Sequence, residues 1–179
     1  MNGFYEMTIA GCKRQLPLCA VSDSLDIAAF IMFGDVEITK ASATALIEKC
    51  PEHDVVFTAE AKSIPLCYEM ARQNNCDYVI ARKGLKVYMP EHIEVEVKSI
   101  TTANMQKLYL GSDDVKLLEG KRVLIVDDVI STGESLKALE SLTEKAGGNI
   151  VGKAAVLAEG EAADRDDIIF LEKLPVFPK

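Results

Sequence analysis

The chain has no tryptophan, only two histidines, and fewer basic than acidic residues: 20 Lys and Arg against 28 Asp and Glu, a net charge of −8. The basic deficit excludes nucleic-acid binding by phosphate neutralisation, which needs a positive surface. It argues equally against adhesion to an anionic membrane. Long apolar runs are missing too. The longest, Ile27 to Phe33, falls far short of the roughly 20 residues that cross a bilayer. Met1 to Ala10 lacks the apolar stretch of a signal peptide. The five cysteines are odd in number and form no CxxC pair, so neither a disulfide framework nor a zinc site is expected. Core thiols in a reducing cytoplasm are expected instead. His53 and His92 stand alone and read as surface histidines. GxGxxG, Walker, HExxH and GxSxG patterns are all absent.

What is present is 179 residues, 49% of them apolar, without low-complexity tracts. That is the size of one domain with a core of its own. The most informative stretch is Arg122 to Ser135, RVLIVDDVISTGES. Val123 to Val126 suit a strand buried on both faces of a parallel sheet. Asp127 and Asp128 follow where such a strand is expected to end. A small polar turn, Ser131 to Ser135, leads into a helical pattern with Leu136, Leu139 and Leu142. Ligands of open α/β sheets bind at the carboxyl ends of strands, and the amides at a helix start form an anion site. The turn therefore offers a cradle for a phosphate monoester. The two carboxylates would repel that phosphate, so they require another partner, sugar hydroxyls or a metal. A ribose phosphate satisfies both halves.

The flanking segments repeat the plan. Asp54 to Ala59 reads as a buried strand ending in Glu60-Ala61-Lys62, with a helix from Ser63 to Gln73. Asp77 to Ala81 reads as a strand leading into Arg82-Lys83-Gly84-Leu85-Lys86, three cations in an acidic chain. Asp35 to Lys49 and Asp113 to Leu118 read as helices, and Ile150 to Ala158 and Ile168 to Leu171 as strands. Glu6 to Val21 reads as a hairpin in which Pro17 limits the ladder to an edge. Glu94 to Ile100 and Leu108 to Leu110 read as a long β-hairpin with a polar, flexible Thr101 to Gln106. Pro175 and Pro178 mark a loose tail.

Arg122 to Ser135 resembles the phosphoribosyl pyrophosphate (PRPP) motif of type I phosphoribosyltransferases. Thr58 to Ser63 is similar to the pyrophosphate loop of the adenine-type members, with Lys62 and Ser63 in place of Arg and Gly. Arg82 to Lys86 is similar to their basic Arg-Lys-Pro-Gly-Lys stretch, and VLAEG with Arg165 to Ile168 also resembles purine-type members. The resemblance implies an α/β fold, a twisted, mostly parallel sheet flanked by helices, with a small N-terminal hood (residues 1–34) and a flexible β-hairpin, all in one domain over 1–179. It implies transfer of the phosphoribosyl group from PRPP to a purine. Adenine giving AMP and pyrophosphate is expected first, with xanthine, hypoxanthine or guanine, or a non-catalytic PRPP-sensing regulator, as the alternatives. Carried over, Asp127 and Asp128 hold the ribose and stabilise charge on it. Ile130, Ser131, Thr132, Gly133, Glu134 and Ser135 bind the PRPP phosphate. Glu60, Ala61, Lys62, Arg82, Lys83 and Lys86 bind pyrophosphate, and Arg14 is a candidate for the nucleobase. Mg²⁺ is the expected cofactor, bound through ligand oxygens with Asp127 as a candidate protein ligand, in a cytoplasmic homodimer. Two departures stand out: Glu134 where the family turn has a second glycine, and Tyr109-Leu110 before Gly111 where adenine-type enzymes carry a glutamate.

Overall fold

The aliphatic run of the central strand is explained by where its side chains go. In the computed structural model, which describes residues 3–97 and 106–179, Val123 and Ile125 enter one apolar core while Leu124 and Val126 enter another. All four are fully buried. A strand covered on both faces leaves no side for polar residues.

In chain order the first elements are β1 (Phe4–Ile9), β2 (Cys12–Ser22), β3 (Leu25–Ala28), α1 (Val36–Ile47), β4 (Val55–Ala59), α2 (Ile64–Asn74) and β5 (Asp77–Ala81). There follow β6 (His92–Val97), β7 (Gln106–Gly111), α3 (Ser112–Leu118), β8 (Arg122–Ile130) and α4 (Glu134–Lys145). The chain ends with β9 (Asn149–Glu159), a 3-10 turn (Gly160–Asp164), β10 (Ile169–Leu174) and β11 (Val176–Pro178). The main sheet has the order β10-β9-β8-β4-β5, and every pairing in it is parallel. Helices α1 and α2 pack on one face, through Ile38, Leu46, Leu66 and Met70. Helices α3 and α4 pack on the other, through Leu118, Leu136, Leu139 and Leu142, together with Val95, Leu108 and Leu110 of the antiparallel β6–β7 hairpin. This is the expected α/β class. The Thr101–Gln106 segment falls outside the described residues except for Gln106, which begins β7.

The hood is a four-stranded antiparallel sheet, β1-β2-β3-β11. Ile9 and Leu16 of this sheet share the core of α1 and α2. Several expectations need correction here. Pro17 does not mark an edge strand. It is the last residue of β2 paired with β1, opposite Phe4, and the next residue, Leu18, already pairs with Ala28 of β3. The proline sits where the strand passes from one partner to the other: the Leu18 N–H donates to Gly3 O, and the Pro17 carbonyl accepts from the Ala29 N–H. The tail is not loose: β11 pairs with β3, and Phe177 packs edge-on against Tyr5 with ring centroids 5.1 Å apart. His53 is buried, its ring nitrogens 2.9 Å from Pro51 O and 2.9 Å from Asn74 Nδ2. Of the cysteines only Cys67 is fully buried; Cys19 is exposed.

The feature that positions the site is a divergence. β4 pairs with β8 only from Val55–Val123 to Phe57–Ile125, whereas β8 stays paired with β9 as far as Ile130–Ala158. The strand therefore does not end at Asp127 as expected; it continues to Ile130 because β9 keeps one edge hydrogen-bonded. The opening lies on the β4 side alone. Beyond it, α2 and α4 leave towards opposite faces. That is the topological switch point at which open α/β sheets bind ligands.

Candidate functional site

A cleft of about 200 Å³ occupies this opening, lined among others by Glu60, Lys62, Ser63, Asp127, Asp128 and Ser135. Side chains alternate along β8, so Asp128, following Leu124 and Val126, faces α2. There it meets Ser63, the residue at the N-cap position of α2. A serine in that position ordinarily caps a helix N–H with its own oxygen. Ser63 makes no such bond. Its hydroxyl instead donates to Asp127 Oδ1 at 2.5 Å and accepts from the Asp128 N–H at 2.8 Å, with Asp128 Oδ1 3.1 Å away. The Asp128 N–H also donates to Asp127 Oδ1 at 2.9 Å. One hydroxyl thus ties the two carboxylates together. Sequence reasoning had noted Ser63 only as a replacement for glycine. The signal it carried was its place, one helix start away from an acidic strand end.

The electrostatics of the pair are uneven. Burial, and then the charge of Asp128, push Asp127 up to about 7, only partly offset by the Ser63 hydrogen bond. Lys62 Nζ stands 2.9 Å from Asp128 Oδ2. Apart from that ion-pair contact Oδ2, fully buried, accepts no hydrogen bond among the described residues. A buried carboxylate oxygen with attraction but no donor is costly unless a ligand completes it. Lys62 also faces Glu159 at the end of β9, whose carboxyl burial holds above its usual range against the pull of that lysine. Glu159, the glutamate of the VLAEG stretch, belongs to the site's surroundings.

The turn after β8 is a glycine bend at the start of a helix. Gly133 takes φ +79° at the start of α4, a conformation that L side chains rarely adopt. Ser131, Thr132 and Ser135 are exposed. Ile130 is 2% exposed and packs into the core, so only its backbone can serve a ligand. Glu134 pairs with Lys137 along the helix at 3.0 Å, which turns its carboxylate along α4 and leaves its N–H to the turn.

The basic segment after β5 is tied to Glu60 in the loop after β4. The Glu60–Ala61 peptide is cis. Glu60 binds the Arg82 guanidinium at 2.5 Å and accepts from the Lys83 N–H at 2.8 Å. Burial raises the Glu60 carboxyl, but the Lys83 N–H and then Arg82 outweigh it and hold the group below its usual range. Arg82 also donates to the Tyr88 hydroxyl at 3.0 Å and exchanges backbone hydrogen bonds with Tyr109. Lys83 lines the cleft; Arg82 and Lys86 do not. Tyr109 stacks edge-on with His92 at 5.6 Å. Arg14 lies elsewhere, clamped to Asp35 at 2.6 Å and Glu37 at 2.8 Å, where it fastens the hood to the start of α1. A larger hollow of about 560 Å³ among His53, Asp54, Arg72 and Asp77 lies at the amino ends of β4 and β5, away from the end where parallel sheets bind ligands.

Fold and cleft together define an α/β protein of the type I phosphoribosyltransferase fold. The phosphoribosyl transferase domain family matches residues 34–176, and the chain belongs to that family. Over 130 residues it is 34% identical to a hypoxanthine/guanine phosphoribosyltransferase of Methanococcus voltae, covering 72% of this chain and 66% of that protein. It is 32% identical over 126 residues to an adenine phosphoribosyltransferase of Rhodococcus jostii, covering 70% and 69%. It is 31% identical over 128 residues to the purine biosynthesis transcriptional repressor PurR of Bacillus subtilis, covering 72% and 43%. The matched segments thus span from under half to about two thirds of these relatives. In three dimensions the chain resembles adenine phosphoribosyltransferases from Thermoanaerobacter pseudethanolicus (TM-score 0.68, 23% identity, 95% of both chains). It also resembles the one from Saccharomyces cerevisiae (TM-score 0.67, 16% identity, 95% and 92%).

The raised Asp127 has a measurable consequence. Its folded pKa, about 7, lies above its ordinary 3.8, so the folded state holds a proton that the unfolded chain has lost. Stability present at low pH is lost as pH climbs from about 4 towards 7. Chemical denaturation of the ligand-free protein between pH 4 and 8 should show this decline, and Asp127→Asn should flatten it. An unchanged slope in the variant contradicts the assignment.

Proposed function

We propose that this protein transfers the phosphoribosyl group from PRPP to a purine base, adenine first among the candidates, yielding the nucleotide and pyrophosphate. The observation that carries the reading is the serine-bridged carboxylate pair with its undonated Asp128 oxygen, beside an amide-lined turn. Ribose hydroxyls are the donors such oxygens lack. In the reaction the anomeric carbon parts from pyrophosphate and a base nitrogen bonds to it. Positive charge grows on the ribose ring as the bond breaks, and Asp127 and Asp128 lie where they can stabilise it. Lys62, Arg82 and Lys83 are the groups available to the departing pyrophosphate, with Glu60 holding the last two in place. Lys62 supplies a point charge where the adenine-type loop carries arginine, so the two-pronged contact is lost there.

Among the described residues no three His, Cys, Asp or Glu side chains group closely enough to hold a metal alone. Oxygen donors suit Mg²⁺, and the undonated Asp128 oxygen with Asp127 fits as the protein's share of a coordination otherwise supplied by PRPP. When bound, the ion neutralises pyrophosphate charge. The unpaired thiols suit a reducing cytoplasm, and no described helix is long and apolar enough to cross a membrane.

A second reading is a PRPP sensor without turnover. Two observations favour it: the likeness to a repressor, and Tyr109 in place of the hairpin glutamate. Incubation with PRPP, Mg²⁺ and each of adenine, hypoxanthine, guanine and xanthine separates the two. The enzyme reading expects nucleotide with one of them, adenine above all, and well over tenfold slower turnover in Asp128→Asn. PRPP binding with no nucleotide from any base would establish the sensor.

We also propose a homodimer. Val36 and Tyr68 are 70% and 50% exposed and share one groove, and Tyr68 stacks on the exposed Tyr78. A contiguous apolar surface of this kind favours a partner. Sedimentation should give twice the 19.5 kDa chain mass; a monomer at micromolar concentration dismisses the dimer.

A further inference from the structure

The phosphate turn has a neighbour that the proposed reaction does not yet use. A Cβ built on Gly133 would lie 2.7 Å from Arg165 Nη1. The positive φ is the reason for glycine at 133; the contact shows how close the tip of Arg165 comes to the bend. Arg165 comes from the loop after the neighbouring strand, just past the 3-10 turn that follows β9. Its other edge is fixed: Nε and Nη2 donate to the two oxygens of Asp167 at 2.8 and 2.7 Å. Asp167 in turn binds Lys153 at 2.6 Å, and Lys153 binds Glu140 of α4 at 2.8 Å. Two cations and two anions balance, so the chain of four contributes little net field. What it provides is direction. A planar guanidinium held by a two-bond fork cannot swing, and its remaining nitrogen, Nη1, faces the turn while donating to no acceptor among the described residues.

We propose that Arg165 is a binding residue of the phosphate turn: it presents an oriented N–H to a ribose 5-phosphate held there. The proposal rests on the reading of Ser131–Ser135 as a phosphate cradle. It extends the site to the loop in which Arg165 to Ile168 resembles purine-type members. The link also explains why an acidic protein spends Asp167 and Glu140 on buttressing one arginine.

Calorimetric titration of the full chain with ribose 5-phosphate, and separately with pyrophosphate, tests it. Arg165→Met should bind ribose 5-phosphate about tenfold more weakly, as for loss of one charge-assisted hydrogen bond. Pyrophosphate affinity should stay unchanged. Arg165→Lys, which keeps the charge but loses the fork, should fall between. Should Arg165→Met fail to fold, Asp167→Asn, which frees the fork but leaves the arginine, should show the same selective loss to a smaller degree. Equal ribose 5-phosphate affinity in wild type and variant, or parallel loss of both ligands, overturns the role of Arg165. If the wild type itself binds pyrophosphate but not ribose 5-phosphate, the cradle reading falls, and this proposal with it.

Discussion

Two carboxylates side by side where β8 parts from β4 repel each other, and the site depends on how that repulsion is contained. The Ser63 hydroxyl, 2.5 Å from Asp127 and within 3.1 Å of Asp128, is the piece that makes the arrangement tolerable. It can be there only because β4 and β8 separate after Phe57 and Ile125, which lets the start of α2 enter between them. The same separation leaves the cleft. Fold and site therefore share one cause: a sheet whose neighbouring strands send their helices to opposite faces.

The containment is incomplete in the ligand-free protein. Asp127 is held towards its protonated form by burial and by its neighbour, and Asp128 keeps an oxygen that accepts no hydrogen bond among the described residues. Lys62 approaches that oxygen from solvent, half exposed, without completing it. The basic residues of the adjoining loop are likewise held in reserve, with Arg82 bound to Glu60. A ligand carrying hydroxyls at one end and negative charge at the other would relieve both strains at once. Sites of this kind trade folded-state comfort for binding.

Much of this was legible in the sequence, and the parts that were not share a reason. The buried strands at Val123 and Val55, the strand at Asp77 and the helix from Leu136 announced themselves through local pattern, because burial on two faces or one stripe leaves a periodic trace. The acidic pair and its turn were legible because they are contiguous. Ser63 was not, since its role is set by a residue 64 positions away. Arg14 looked available for a ligand only because Asp35 and Glu37, its ion-pair partners across the hood, are remote in the chain. The C-terminal prolines suggested a tail, yet β11 finds its partner in β3 near the other end of the chain. Tertiary pairing, unlike periodicity, leaves no signature in a single sequence.

The central claim is that the Asp127–Asp128 pair grips a sugar diol while the turn grips its phosphate. Titrating the wild-type protein with ribose 5-phosphate and with 2-deoxyribose 5-phosphate isolates the first half, since the phosphate is common to both. Hydrogen bonds to charged acceptors contribute about 1.5–3 kcal/mol. The account predicts that the deoxy sugar phosphate binds at least tenfold more weakly. Equal affinity for the two ligands would mean that the carboxylates hold no hydroxyl, and would contradict it.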